Sequence, residues 1–344
     1  MEHLIEYGSF LAKTITVVIA IVVVLSMAAA MRMKGREQQG SLQVSKLNEF
    51  YDELREDMEE QVLDKATLKA QRKAEAKAEK ARAKAAKKGE DTPKPRAYVL
   101  DFDGDIKASA VEQLRHEVSA LLTLARPEDE IVLRLESPGG MVHGYGLAAS
   151  QLARIRSAGV PLTVCVDKVA ASGGYMMACL GQRILAAPFA VIGSIGVVAQ
   201  VPNLHRLLKK HDIDYDVFTA GEFKRTVTVL GENTEKGREK FQQDLDETHE
   251  QFKSFVAQYR PDLKIDQVAT GEVWLGQAAL TRQLIDEVMT SDEYLTRRAR
   301  EAELFHVRFV EKKSLQERFG LGAATAVERF MLNWSSRLQQ RYWS

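Results

Sequence analysis

The sequence predicts an α/β protein, and three observations carry that reading. Strand-like and helix-like segments alternate from Ala97 onward. Two glycine turns, Ser137-Pro138-Gly139-Gly140 and Ser172-Gly173-Gly174, each follow an apolar, β-branched run. The composition is that of a folded chain, 344 residues with 45% hydrophobic and 28% charged. Net charge is zero, so no global field argues for nucleic acid or an acidic partner. The two cysteines, Cys165 and Cys179, exclude a disulfide framework and sit in apolar runs, as buried thiols do.

In chain order, residues 14–31 form an uncharged apolar run that reaches the length of a membrane-spanning helix, about 18 residues or more. A cleaved signal peptide is the competing reading. Glu2 and Glu6 precede the run where a basic region is needed, and Arg32, Lys34 and Arg36 follow at once, so a retained anchor is expected for residues 1–31. The basic flank argues for a cytoplasmic body.

Residues 32–96 read as a charged helical linker. Ten basic and two acidic residues between Lys65 and Lys88 favour helix but leave almost no apolar face. A solvated spacer is expected, with contact to anionic lipid headgroups as the alternative; without interleaved aromatics, nucleic-acid binding is a poor third. The segment Gly89-Glu-Asp-Thr-Pro-Lys-Pro-Arg96 breaks the helix and marks a boundary.

The domain at residues 97–305 then opens with a strand at 98–103. A helix carries Val111, Leu114, Val118 and Leu121 on one face, a second strand runs over 130–136, a helix passes through 146–155, and a third strand covers 161–167. The apolar run at 184–201 is broken by Pro188, Gly193 and Gly196 and reads as buried strands rather than a second span. A strand-like stretch at 215–219 precedes a long charged helix from about Glu232 to Tyr259. The remaining segment, 306–344, is expected to hold a strand and an amphipathic helix with Val327, Phe330, Met331, Trp334 and Leu338 on one side, suited to an oligomer contact or a membrane interface.

The chemistry centres on Ser172. A serine at a tight strand-to-helix turn presents its hydroxyl where free N–H groups favour developing negative charge; the competing reading is a plain helix cap. The N–H groups of Gly173 and of Gly139 or Gly140 are candidate oxyanion donors. A base is less obvious. His143, His205 and His211 have no supporting context, and Lys224, in Gly221-Glu-Phe-Lys224, stands outside the helical charge runs. No histidine or cysteine has metal-ligand spacing, and neither a metal nor a cofactor is expected.

The segment around Ser172, the Ser-Pro-Gly-Gly turn, the run Gly193-Ser-Ile-Gly-Val197 and the segment ending at Lys224 together resemble the signal peptide peptidase A family of membrane serine peptidases. The resemblance implies a ClpP/crotonase-like fold and a Ser-Lys dyad, with Ser172 as nucleophile and Lys224 as general base. It further implies a ring-shaped homo-oligomer whose sites are lined by neighbouring subunits, and peptide substrates such as signal-peptide remnants. The layout is that of a single-pass protein of the bacterial inner membrane with its catalytic domain on the periplasmic side, against the charge bias noted above. Glu136 stands where the family often has Asn or Asp, and Gln283 where it often has glycine. Two other classes are kept: a catalytically inactive membrane scaffold with the same fold, and an acyl-CoA-type enzyme.

Overall fold

A computed structural model describes residues 40–87 and 94–311. The expected anchor at 14–31 and the amphipathic segment at 326–343 lie outside the described residues. Among the described residues no helix is long and apolar enough to cross a membrane. Residues 44–308 form one compact unit, which carries the site described below.

The described chain opens with β1 (Ser41–Lys46), α1 (Leu47–Val62) and α2 (Lys65–Lys87). Residues 41–88 of the charged linker were expected to be one long helix. Instead Ser-Leu-Gln-Val-Ser-Lys alternates with period two and forms a strand, and Asp64 breaks the helix by capping α2 through Ala66 N–H at 2.9 Å and Thr67 N–H at 3.1 Å. Exposed ion pairs, Arg55 with Glu75 at 2.8 Å and Arg72 with Glu60 at 2.5 Å, run between the two helices. No residue of α1 is buried. Asn48 ties its start down by donating to the Ala299 and Ala302 carbonyls, at 3.0 Å each, and accepting from Leu304 N–H at 2.7 Å.

The alternating region supplies β2 (Arg96–Asp103), α3 (Val111–Leu121), β3 (Glu130–Glu136), α4 (Val142–Ser157), β4 (Leu162–Val166), β5 (Val169–Ala171), α5 (Gly173–Ala178), β6 (Arg183–Ala186) and β7 (Val191–Gly193). Beyond it lie α6 (His205–Lys210), α7 (Glu235–Tyr259), α8 (Ile265–Val268), β8 (Val273–Leu275), α9 (Gly276–Thr281), β9 (Glu287–Val288), α10 (Ser291–Glu301) and β10 (Glu303–Val310).

A seven-stranded sheet has the order β1-β10-β2-β3-β4-β6-β9, parallel in every pairing from β10 to β9. Both faces are covered, as parallel sheets require. Leu100, Leu133 and Val164 join Leu114, Leu152 and Val256 in the larger apolar cluster; Val99, Val132 and Cys165 face the smaller one with Leu295. A second sheet, β5-β7-β8, pairs β5 with β7 in parallel and β7 with β8 antiparallel.

Two short elements differ from the sequence reading. Ser172 follows β5, a three-residue strand of the second sheet, rather than β4 directly. Residues 215–219 form no strand: they are exposed throughout, with no neighbouring strand to pair with. Both thiols are sealed in the core, and burial pushes Cys179 up to about 12, which keeps it protonated and inert.

Candidate active site

Ser172 caps α5 with φ +51° and ψ −118°, a conformation that costs roughly 1–3 kcal/mol for a residue with a side chain. Its backbone N–H donates to Gly193 O at 2.8 Å. Its side chain makes no capping hydrogen bond. The plain cap reading therefore has no bond to support it, and the hydroxyl is left facing other chemistry.

The second glycine turn is brought against Ser172 by Ser137. Ser137 N–H donates to Val169 O at 2.8 Å and Ala171 N–H donates to Ser137 O at 3.0 Å, a bridge from the end of β3 to β5. Gly139, at φ +89°, then lies so close that a Cβ there would stand 2.7 Å from Ser172 Cβ and 2.8 Å from Gly173 N. Only glycine satisfies both the backbone angle and the contact.

The candidate oxyanion donors divide on this geometry. Gly139 N–H donates to Ser137 Oγ at 3.1 Å, whereas no hydrogen bond of Gly140 N–H or Gly173 N–H occurs among the described residues. Beneath them Tyr145 is fully buried, its hydroxyl donating to Asp105 O at 2.8 Å and lying 2.6 Å from Ser137 Oγ. Its ring supports α5 so closely that a Cβ on Gly173 would come within 2.3 Å of Tyr145 Cγ. The turn is thus a rigid cradle held from below.

A cavity of about 950 Å³ opens over this cradle and is lined by Ser172, Gly139, Gly140 and Gly173. Two residues to which the sequence reading gave no role, Ser194 of the Gly193–Val197 run and His249, also line it. Ser194 follows β7 as Ser172 follows β5; Ala171 and Gly193 are in register, and Ser194 has the same φ of +51°. The signal was available: glycine then serine at the end of an apolar run. His249 enters from α7, where spacing of three and seven places it on the face that buries Phe252 and Val256.

Lys224 is not brought to Ser172 within the single chain. It is exposed on the irregular segment before α7 and is not among the residues lining the cavity. His143 and His211 are exposed, His205 is half-buried, and none of the three lines the cavity. Glu136 pairs with Lys168 at 2.9 Å beside the Ser-Pro-Gly-Gly turn. Among the described residues no group of three or more His, Cys, Asp or Glu is placed to hold a metal ion.

Known proteins resemble this chain in sequence over almost its whole length. Residues 2–152 match the model of the peptidase family S49 N-terminal region, and residues 154–305 match that of peptidase family S49. The chain is 52% identical over 343 residues to a probable protease SohB of Haemophilus influenzae, covering 98% of this chain and 97% of that protein. It is 48% identical over 319 residues to a probable protease SohB of Buchnera aphidicola from Acyrthosiphon pisum, covering 93% and 94%. A shorter similarity, 27% identity over 219 residues, links it to protease 4 of Salmonella typhi, covering 63% of this chain and 33% of that one.

Proposed function

Since the chain belongs to peptidase family S49, we propose that it is a membrane-anchored serine endopeptidase in which Ser172 is the nucleophile and Lys224 the general base. The observation that carries the reading is the uncommitted Ser172 hydroxyl in a strained turn, in a cavity also lined by Gly140 and Gly173, whose N–H groups form no hydrogen bond among the described residues. Ser172 Oγ attacks the peptide carbonyl as the amine of Lys224 takes its proton. The carbonyl oxygen becomes an oxyanion that accepts from the Gly140 and Gly173 N–H groups. The same proton then passes to the leaving amine, and water releases the acyl group from Ser172 by the reverse use of the base.

A lysine serves as a base only in its neutral form, which requires shelter from water. The exposure of Lys224 in one chain fits a site completed by assembly, in which a neighbouring copy covers the cavity and supplies the lysine. Strongly exposed apolar side chains, Phe218 at 93% on the same stretch and Val198 at 80% on the cavity lining, support such a contact. The expected form is a homo-oligomeric ring, held to the inner membrane by residues 14–31 with the catalytic domain on the periplasmic side. Its substrates would be signal-peptide remnants or other short unfolded peptides.

The absence of Lys224 from the cavity is also what an inactive scaffold would display. Peptide cleavage by the full-length chain in detergent separates the two readings. Ser172→Ala and Lys224→Met should each lose cleavage by about 10³-fold or more while remaining folded. Cleavage at the wild-type rate in folded Ser172→Ala would remove the serine mechanism.

A further inference from the structure

The cavity beside Ser172 is walled on one side by α7, which offers it three polar side chains, Thr248, His249 and Gln251. They differ in what they have left to bond. Thr248 donates its hydroxyl proton to Asp244 O at 2.7 Å, within its own helix. Gln251 is exposed, so its amide is open to solvent. His249 alone combines a sealed polar atom with no partner: its Nε2 is closed off from water and forms no hydrogen bond among the described residues.

An imidazole nitrogen in that condition costs about 1–3 kcal/mol relative to a bonded one. The cost is out of place on a face whose next turns bury Phe252 and Val256, where an apolar side chain would fill the space without it. A polar group in the cavity would relieve it if the ring turned to meet that group. Ser172 and His249 line one and the same cavity, so a peptide whose scissile carbonyl rests at Ser172 has this wall within reach of its side chains.

We propose that His249 determines specificity, selecting peptides that place an uncharged hydrogen-bonding side chain, a hydroxyl or a carboxamide, against α7. A neutral imidazole nitrogen is either a donor or an acceptor, and hydroxyl and carboxamide groups match it in either tautomer. The aromatic and aliphatic remainder of the wall, Phe252, Phe255 and Met176, packs the carbon part of the same side chain. The inference rests on the peptidase reading of this site and adds to it the class of side chain the enzyme accepts.

The test is cleavage-site profiling of a synthetic peptide library by the full-length chain in detergent, read by mass spectrometry. Wild type, His249→Leu, His249→Gln and Ser172→Ala are compared, with thermal unfolding recorded for each. For the subsite facing α7, wild type should prefer Ser, Thr, Asn or Gln over Leu or Val. His249→Leu should lower the ratio of kcat/KM between those two peptide classes by about tenfold or more, chiefly through KM, whereas His249→Gln should keep it within about threefold. Should His249→Leu fail to fold, His249→Ala carries the same expectation. A ratio unchanged in every folded His249 variant, or an equal loss across all peptides, overturns this inference while leaving the peptidase reading intact. Cleavage that persists in Ser172→Ala overturns both.

Discussion

Ser172 holds φ at +51° only because its surroundings over-determine it: Gly193 O takes its N–H, Gly139 packs against its Cβ, and Tyr145 supports the residue after it. Gly139→Ala should therefore abolish cleavage and cost about 3 kcal/mol, since the added methyl meets Ser172 and the angle is unsuited to alanine. Equilibrium urea unfolding beside a peptide assay checks both. Tyr145→Phe keeps the ring but leaves Ser137 Oγ and Asp105 O without their hydroxyl partner; a loss of about 2 kcal/mol is expected, again by urea unfolding. Asp101 supplies a pH prediction. Burial works against its ionised form, yet hydrogen bonds from His306 at 2.8 Å and from both Arg134 donors at 2.6 and 2.9 Å prevail and hold the carboxyl at about 2, below its ordinary 3.8. A depressed carboxyl contributes stability that is complete above about pH 4 and lost as pH falls towards 2. Asp101→Asn should lower the urea midpoint at pH 7 and flatten its dependence across that window; with the side chain 41% exposed, the effect stays near 1 kcal/mol.

At the scale of elements, the parallel strands were legible because β2, β3 and β4 are apolar on both faces and end at glycine or at a polar turn. The same logic found the Ser172 turn and its glycine partner. It missed β5, whose three residues are too few to show a period, and β1, whose alternation is hidden in a strongly charged stretch. It also missed His249, because a single histidine in a charged helix gains meaning only when the fold puts that face against the cavity. Gln283, which stands where the family often has glycine, adopts φ +62°, the left-handed region that glycine favours. The element most exposed to test is α7, which walls the cavity and starts at Thr234, whose hydroxyl accepts from Gly237 N–H at 3.1 Å. Thr234→Ala should cost about 1 kcal/mol, read from thermal or urea unfolding, and leave α7 formed.

At the scale of the molecule, the single chain leaves the proposed base apart from the proposed nucleophile. Lys224 is exposed on the segment that also exposes Phe218 and Phe223, so the proposed dyad would form only with a second surface. If copies complete one another's sites, co-expressed Ser172→Ala and Lys224→Met chains, each inactive alone, should recover about a quarter of the wild-type sites in a randomly mixed ring. No recovery in a confirmed mixed oligomer would require the lysine to act within its own chain. The most direct measurement of the central claim is mass spectrometry of the folded full-length chain after treatment with a fluorophosphonate probe. An activated nucleophile predicts one adduct on Ser172, absent from Ser172→Ala and suppressed in Lys224→Met. Oligomeric, folded wild type that takes no label, or a label that survives Ser172→Ala, would contradict it.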